Sequence, residues 1–278
     1  MWAQSLTTDS QNLDQQHENM GRLPRPMHRV IFILALFACC NNWAKSTATI
    51  GDTDSLTAKS WLVADENNKI LGSKDIDAVR PMASITKVMT VLTVMDAKQD
   101  LGQLISYDKT IRLTRQELIE LAMVRSDNHA ADLLCKNYVG GYGNCIGDMN
   151  MNARRWGLVN TTYVDSTGLM AGNTSTAQDL LRLLVLAEQN YLIVDAAKKT
   201  KVEIKVKKKW LIFKQTNPLI GHKHEFIVSK TGTTNAAGGC IILTVKTEKG
   251  LRRVVVLGSR NGRTRIPEAE FIYQQIKD

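Results

Sequence analysis

The hydrophobic and polar positions in the first half of the chain predict a hairpin followed by several helices. Residues 60–71 alternate apolar and polar side chains on either side of Glu66-Asn67-Asn68, which predicts two short antiparallel strands joined by a turn. Between residues 83 and 98, apolar residues recur at the spacing of one helix face. The same spacing predicts helices over the ranges 114–123, 128–138, 146–156 and 176–189.

Strands predominate in the pattern of the second half. Residues 201–207 alternate lysine or glutamate with valine and isoleucine, which predicts a half-buried strand with a lysine face, and an apolar run follows at 210–213. Strands near both ends of the sequence, with helices between them, predict one α+β domain whose antiparallel sheet both ends form. The remaining predicted elements are a strand from Phe226, a hairpin over 240–257 and a C-terminal helix from about Pro267.

A different pattern occupies residues 1–48. Eleven apolar residues at 30–40 follow the basic segment Met27-His28-Arg29 and precede small residues up to Ala48, which is the layout of a secretory signal peptide. As a helix this run would be about 16 Å long, roughly half a bilayer core, so a permanent anchor is the weaker interpretation. A buried core helix and a lipoprotein signal are the alternatives. We expect a preamble and signal peptide over 1–48 and a single domain over 49–278.

Composition and charge exclude several classes of protein. The 278 residues are 44% hydrophobic and 23% charged, which excludes disordered, collagen-like and disulfide-scaffold chains. The net charge is +9, but residues 196–214 hold eight lysines and one glutamate, so the rest of the chain is close to neutral. Because these lysines lack interleaved surface aromatic residues, a solvated lysine face is favoured over a nucleic-acid site.

The cysteines leave two interpretations open. Cys135 and Cys145 could pair across the glycine-rich stretch 139–143 in an oxidising compartment, or they could remain buried thiols like Cys240. No Cys-x-x-Cys or Cys/His spacing supports a zinc site, and His222 and His224 are interpreted as a loop pair. We therefore expect no zinc site.

The first of three candidate motifs is Ser84-Ile85-Thr86-Lys87, at the start of a strongly apolar helix. A serine at a helix N-terminus lies near backbone N–H groups and the positive end of the helix dipole, which favour a developing oxyanion. Lys87 would lie one turn further on the same face, where apolar surroundings lower an amine's pKa and allow it to take the serine proton. The structural alternative is a serine cap with a solvated lysine.

The other two motifs are equally short. Ser126-Asp127-Asn128 lies between two predicted helices, and on its own it is typical of a helix N-cap. Lys230-Thr231-Gly232-Thr233-Thr234 ends an apolar strand. There the glycine would let a substrate backbone approach, the strand edge would pair with an extended peptide, and the lysine and threonine would bind a carboxylate. A strand with a polar end is the alternative.

In this order and context, the three motifs resemble those of the low-molecular-mass penicillin-binding proteins, the D-alanyl-D-alanine peptidases, over residues 61–257. The resemblance implies a β-lactamase/transpeptidase-like fold with a helical subdomain, and a serine D,D-peptidase domain over 49–278. The segments most similar to the endopeptidase branch are Ala83–Thr90, Tyr138-Val139-Gly140-Gly141-Tyr142, Asp165-Ser166-Thr167-Gly168-Leu169 and Asn235-Ala236-Ala237-Gly238.

The resemblance also implies catalytic roles. Ser84 would be the nucleophile that forms an acyl-enzyme with a D-Ala carbonyl, and Lys87 would be its base. Ser126 would relay a proton to the leaving amine, and Asn128 would hold Lys87 or the substrate amide.

On the strand, the resemblance implies substrate contacts. Lys230 and Thr231 would bind a substrate carboxylate next to Gly232. The backbone N–H groups of Ser84 and Thr233 would form the oxyanion hole, without a metal or cofactor.

The implied substrates are D-Ala-containing peptide bonds of peptidoglycan stem peptides, with cross-link hydrolysis by a D,D-endopeptidase favoured. The alternatives are a D-alanyl-D-alanine carboxypeptidase, a serine β-lactamase and a non-catalytic cell-wall binder. A class A β-lactamase needs a glutamate for deacylation, and Glu188 lies in a predicted apolar helix instead. β-Lactams are therefore expected to be slow covalent ligands.

The resemblance and the predicted signal together imply a periplasmic enzyme with no nucleic-acid partner and at most peripheral membrane contact. In that setting, the lysine-rich strand would be either a solvated face or a surface beside the cleft that attracts anionic cell-wall polymer.

Overall fold

Both ends of the described chain contribute strands to one antiparallel sheet. The computed structural model describes residues 53–222 and 224–275, with Val206 described by its backbone alone. The predicted signal peptide and its boundary at residue 48 lie outside these residues.

The strands and helices are numbered in chain order. The strands are β1 (Ser60–Ala64), β2 (Ile70–Lys74), β3 (Arg80–Pro81), β4 (Leu104–Ser106), β5 (Arg112–Thr114), β6 (Thr174–Ser175), β7 (Lys201–Val206), β8 (Lys209–Lys214), β9 (Glu225–Thr234), β10 (Gly238–Thr247) and β11 (Gly250–Ser259). The helices are α1 (Thr86–Asp96), α2 (Arg115–Glu120), α3 (Asn128–Lys136), α4 (Gly141–Arg155), α5 (Ala177–Glu188), α6 (Tyr191–Lys198) and α7 (Arg265–Gln275).

The central sheet has the strand order β2-β1-β11-β10-β9, with every neighbouring pair antiparallel. The predicted N-terminal and C-terminal hairpins are β1–β2 and β10–β11. Side chains alternate between the two faces of the sheet. Leu62 and Ile242 belong to a large core shared with α1 to α6, whereas Val63 and Leu243 belong to a smaller core shared with α7. The predicted α+β class is therefore confirmed, and β9 lies at an edge of the sheet.

Helix α1 runs through the large core, where every side chain from Thr86 to Val94 is buried. Helices α3, α4 and α5 pack against α1, and α2 packs against α3. A disulfide between Cys135 and Cys145 joins α3 to α4, with the two Cα atoms 5.3 Å apart, and Cys240 is a buried free thiol. The sequence left open whether Cys135 and Cys145 are paired or are free thiols, and the structure has them paired in a disulfide.

Several elements differ from the predicted ones. The helix expected from residue 83 begins as a 3-10 turn, Ala83–Ile85, before α1. Helix α4 begins at Gly141 because two glycines with positive φ, Gly140 and Gly141, turn the chain directly out of α3. The pattern did not predict α6 or the β4–β5 hairpin. The sequence of α6 contains β-branched residues typical of strands, but Asn190 caps it by accepting a hydrogen bond from the N–H of Ile193.

The lysine-rich strand forms half of a separate two-stranded sheet, β7–β8. Val202 and Ile204 are buried, as expected for a half-buried strand. Trp210 is 59% exposed, and the Lys205 Nζ atom lies 5.9 Å from its ring centroid. No aromatic residue is interleaved with the lysines of β7 itself, as expected, but the partner strand β8 supplies Trp210 as a surface aromatic neighbour. Only one face of this hairpin is covered, so part of the apolar run at 210–213 stays in contact with solvent.

Neither a membrane-spanning helix nor a metal-binding cluster occurs in the part of the chain that the structure describes. Over 53–222 and 224–275, no helix is both long and apolar enough to cross a membrane. The same ranges contain no group of three or more histidine, cysteine or carboxylate side chains placed to hold a metal ion.

Candidate active site

Ser84 lies in the 3-10 turn that leads into α1, pressed between a loop and strand β9. A Cβ atom on Gly168 (φ 83°) would lie 1.9 Å from the carbonyl oxygen of Ala83, and one on Gly232 would lie 2.8 Å from the backbone nitrogen of Ser84. Because backbone atoms cannot move aside cheaply, both positions require glycine. The close approach expected at Gly232 from a substrate is made here by the Ser84 turn itself.

Lys87 is fully buried, and its Nζ atom has three partners. It lies 2.9 Å from Ser84 Oγ, 2.7 Å from Asn128 Oδ1 and 2.7 Å from the carbonyl oxygen of Thr167. The amide and carbonyl oxygens can only accept hydrogen bonds. A neutral amine has two N–H groups and one lone pair, so these two acceptors leave the lone pair for the hydroxyl of Ser84. The first motif and Asn128 of the second are therefore brought together.

Burial determines the protonation of Lys87. Removal from water lowers the pKa of Lys87 to about 7, although the negative charges of Asp165 and Asp127 act to raise it. Near neutral pH a large fraction of Lys87 is therefore uncharged, which is the form that can accept a proton.

The loop after residue 164 is built around Asp165. Burial acts to raise the pKa of this carboxyl, but hydrogen bonds from the N–H groups of Met170, Gly168 and Thr167 keep it below its ordinary value. The loop so formed presents the Thr167 carbonyl to Lys87. Asp165 is thus a positioning residue, which the sequence marked only as part of a segment similar to the endopeptidase branch.

The second motif serves both as a cap and as part of the site. Asp127 caps α3, since its Oδ1 accepts a hydrogen bond from the N–H of Ala130 at 2.8 Å. Ser126 has a left-handed backbone (φ 60°), and its Oγ accepts a hydrogen bond from Lys230 Nζ at 2.7 Å. The cap interpretation is therefore correct for Asp127, whereas Ser126 and Asn128 contact the lysines of the other two motifs.

Lys230 is buried on β9, and its second hydrogen bond goes to the carbonyl oxygen of Thr231 at 2.8 Å. Burial lowers the pKa of Lys230 well below its ordinary value, and the positive charges of Lys87 and Arg265 lower it further. Thr231 is held by a hydrogen bond from its Oγ1 to Thr216 Oγ1 at 2.8 Å. The strand motif is thus joined to the other two.

Arg265, the first residue of α7, is a site residue that the sequence did not reveal. Its Nη1 atom donates a hydrogen bond to Thr233 Oγ1, and its buried Nε atom has no hydrogen-bond partner among the described residues. Thr233 itself is exposed. The sequence gives no local signal for Arg265, because 32 residues separate it from Thr233 and only the folded β10–β11 hairpin brings them together.

Glu188 is engaged on the sheet rather than in a catalytic loop. Its carboxylate accepts hydrogen bonds from Arg253 Nε and Nη2, both at 2.7 Å, and from Thr244 Oγ1 at 2.6 Å. A carboxylate held by three donors in this way is a structural anchor. The expectation that Glu188 is not a water-activating base agrees with this arrangement.

Comparison with known proteins identifies the family. A family model described as D-alanyl-D-alanine carboxypeptidase, Peptidase_S11, matches residues 46–105 and 102–261. The chain belongs to peptidase family S11. This S11 peptidase is 36% identical over 234 residues to the D-alanyl-D-alanine endopeptidase of Pseudomonas aeruginosa, covering 77% of this chain and 75% of that protein. It is 34% identical over 231 residues to the D-alanyl-D-alanine endopeptidase of Escherichia coli, covering 76% and 74%.

Solved structures agree on the fold. The DD-transpeptidase of Streptomyces K15 superposes with a TM-score of 0.74 at 22% identity, covering 80% of this chain and 97% of that one. Penicillin-binding protein D2 from Listeria monocytogenes, in its cefotaxime-bound form, has a TM-score of 0.70 at 24% identity, covering 79% and 96%. The penicillin-binding-protein resemblance and the transpeptidase-like fold predicted from the motifs are confirmed.

Proposed function

We propose that this S11 peptidase is a D,D-endopeptidase that cleaves D-Ala-containing cross-links of peptidoglycan through an acyl-enzyme on Ser84. The observation that carries the proposal is the environment of Lys87. Its two acceptor partners, Asn128 and Thr167, leave the amine lone pair for the Ser84 hydroxyl 2.9 Å away. The buried amine has a pKa of about 7, so it can accept the serine proton at neutral pH.

In the acylation step, Ser84 Oγ attacks the carbonyl carbon of D-Ala while its proton moves to Lys87 Nζ. The negative charge that develops on the carbonyl oxygen is stabilised by the backbone N–H groups of Ser84 and Thr233, each contributing about 3 kcal/mol. The tight packing of Gly232 against the Ser84 nitrogen supports this arrangement, because it keeps the Ser84 turn next to β9.

Breakdown of the tetrahedral intermediate requires a proton on the leaving amine. Lys230 donates a hydrogen bond to Ser126 Oγ at 2.7 Å, which leaves the Ser126 hydroxyl proton free to be donated. Ser126 gives that proton to the leaving amine and recovers one from the ammonium form of Lys87. Water then attacks the acyl carbon and transfers a proton to Lys87. When the bond between the acyl carbon and Ser84 Oγ breaks, Lys87 returns that proton to Ser84 Oγ, which restores the enzyme and releases the product acid.

Slow turnover of β-lactams follows from the same site. Glu188 is held by Arg253 and Thr244, so the base that a class A β-lactamase uses for deacylation is not supplied by this residue. A β-lactam is therefore expected to acylate Ser84 and to remain bound, which ranks β-lactamase activity below peptidase activity.

Cation placement supports recognition of an anionic substrate. A substrate carboxylate at the end of β9 would meet the Arg265 guanidinium and the Lys230 amine, whose protonated form it would favour. The hydroxyls of Thr231 and Thr233 lie on the same stretch of strand. Cross-link cleavage is favoured over carboxypeptidase action because the relatives at 36% and 34% identity are endopeptidases, whereas the carboxypeptidase DacF of Bacillus subtilis is 28% identical. We further propose export to the periplasm by the segment 1–48.

The test compares two substrates with matched variants. Purified enzyme is incubated with cross-linked muropeptide dimers and, separately, with pentapeptide monomers. The products are identified by mass spectrometry. We expect cleaved dimers from the wild type and from Ser73→Ala, an exposed serine on β2, but none from Ser84→Ala. Loss of D-Ala from monomers alone would establish the carboxypeptidase alternative, and no product from either substrate would favour a non-catalytic binder.

Labelled penicillin supplies a second readout. We expect a stable adduct on the wild type and none on Ser84→Ala. Rapid hydrolysis of the penicillin would contradict the slow-turnover part of the proposal.

A further inference from the structure

The hairpin of β7 and β8, residues 201–214, has one covered face and one open face; we call it the basic hairpin. Directly paired residues lie on the same face. On the covered face, Val202 and Ile204 are buried in the large core. On the open face, Lys205 pairs with Trp210 and Glu203 pairs with Ile212. Trp210 is 59% exposed and Ile212 is 55% exposed, so two large apolar side chains two residues apart project into solvent.

Positive charge surrounds these two apolar side chains. The basic hairpin contains six lysines and one glutamate, and the glutamate, Glu203, accepts a hydrogen bond from Lys201 at 2.7 Å. Lys207 and Lys208 form the turn. Among the residues that the structure describes, no ion pair involves Lys205 or either turn lysine. Their charge is therefore available to a partner outside the chain.

We propose that the basic hairpin docks this enzyme on the surface of an anionic lipid bilayer. Lysines near such a surface are attracted by lipid phosphates, and tryptophan prefers the level of the headgroups. An isoleucine next to the tryptophan gains from burial at the acyl boundary. An anionic sugar polymer would use the lysines and could stack on Trp210, but it offers no apolar surface to Ile212. The combination on the open face therefore favours a membrane.

The position of the basic hairpin connects docking to the active site. It packs against the π-helical turn Leu121–Arg125, which ends directly before Ser126. Shortly after β8, the Thr216 N–H donates to the Val124 carbonyl, and Thr216 Oγ1 accepts a hydrogen bond from Thr231. A bilayer on the open face would thus hold the cleft at a fixed distance from the membrane and direct the peptidase to cell wall close to it.

The experiment measures binding of the full chain to vesicles, so that any contribution of residues 1–52 is common to all variants. Vesicles of phosphatidylglycerol with phosphatidylethanolamine are compared with vesicles of phosphatidylcholine. We expect sedimentation with the anionic vesicles, weakened by salt. Substitution of Lys205, Lys207 and Lys208 by Gln should lower partitioning on the order of 100-fold, since each lysine near an anionic surface contributes about fivefold. Trp210→Ser with Ile212→Ser should lower it at both low and high salt.

Controls separate this role from a general loss of charge or fold. Replacing Lys69, Lys98 and Lys109 by Gln removes the same charge from exposed positions elsewhere and should change partitioning less than threefold. Val159→Ser removes an apolar side chain that is 75% exposed outside the basic hairpin, and it should have no effect. All variants should form the Ser84 adduct with labelled penicillin at the wild-type rate, which shows that the site is folded.

Fluorescence quenching tests directly whether Trp210 contacts the lipid. Brominated anionic lipids should quench part of the tryptophan fluorescence of the wild type, and that part should be absent in Trp210→Phe. Quenching that is unchanged in Trp210→Phe would overturn the proposal. Equal vesicle binding by the wild type and both hairpin variants would also overturn it, as would salt-sensitive binding to isolated sacculi with none to vesicles, which would identify the partner as cell-wall polymer.

Discussion

The acylation rate should depend on pH through the protonation of Lys87. An ordinary lysine has a pKa of 10.5 and would be neutral in about one molecule in 3,000 at pH 7, whereas a pKa of about 7 makes Lys87 neutral in about half. Burial therefore raises the population of the proton-accepting form on the order of 1,000-fold, at a cost to the protonated form of about 5 kcal/mol.

The acylation rate should increase with pH because the neutral form of Lys87 is the reactive one. The neutral amine takes the Ser84 proton, and its population grows as pH rises through the pKa. We expect the logarithm of the acylation rate with labelled penicillin to rise with a slope of about one below pH 7 and to level off above it. To measure this profile, the reaction is stopped at set times at each pH between 5 and 10, and the covalent adduct is quantified.

Two variants test the cause. Arginine at position 87 stays protonated throughout this range, so Lys87→Arg should lose acylation at every pH. Asp127 acts to raise the Lys87 pKa, so Asp127→Asn should shift the rising part of the profile to lower pH, while asparagine can still cap α3. A rate independent of pH between 5 and 9, or one that rises only near pH 10, would refute the reasoning.

Three further predictions concern the Asp165 loop, Arg265 and the disulfide between α3 and α4. Asp165→Ala removes the carboxylate that orders the loop presenting Thr167, and it should slow acylation roughly 100-fold in the adduct assay. Asp165→Asn should recover little of this rate, because the loop N–H groups donate to a charged acceptor. Arg265→Gln should raise KM for anionic stem peptides at least tenfold in muropeptide kinetics; an unchanged KM would contradict a role in carboxylate binding. Replacing Cys135 and Cys145 by serine should lower the free energy of unfolding by about 3 kcal/mol in urea titrations, and equal midpoints would show that the disulfide adds no stability.

Local patterns in the sequence predicted most of the strands and helices that pack on the two cores. The hairpins predicted over 60–71 and 240–257 correspond to β1–β2 and β10–β11, whose strands pack one set of side chains on each core. The pattern failed for α6, where the polar cap Asn190 outweighs a strand-like composition. For the basic hairpin the pattern predicted the half-buried strand β7 but not the exposure of the run at 210–213, since an apolar run gives no indication of whether a second layer will cover it.

The candidate site shows a similar division. Short motifs of fixed spacing indicated the candidate site residues Ser84, Lys87, Asn128 and Lys230. The dependence of Lys87 on the Thr167 carbonyl is a contact over 80 residues, and a backbone carbonyl leaves no trace in residue identity. The same holds for Arg265, whose partner lies on another strand. Long-range contacts of this kind require the fold before they can be identified.

The arrangement of charge explains why an anionic substrate suits this site. Lys230 is buried, it lies near two other cations, Lys87 and Arg265, and its pKa is lowered by all three influences. A substrate carboxylate at the end of β9 would supply the negative charge that favours the protonated forms of Lys230 and Arg265. The charge of Lys87 lowers the pKa of Lys230, and because Coulomb repulsion is mutual, a protonated Lys230 would favour the neutral form of Lys87 that accepts the Ser84 proton. Under the proposed function, binding of the carboxylate would therefore be coupled to activation of Ser84 through the repulsion between two buried lysines.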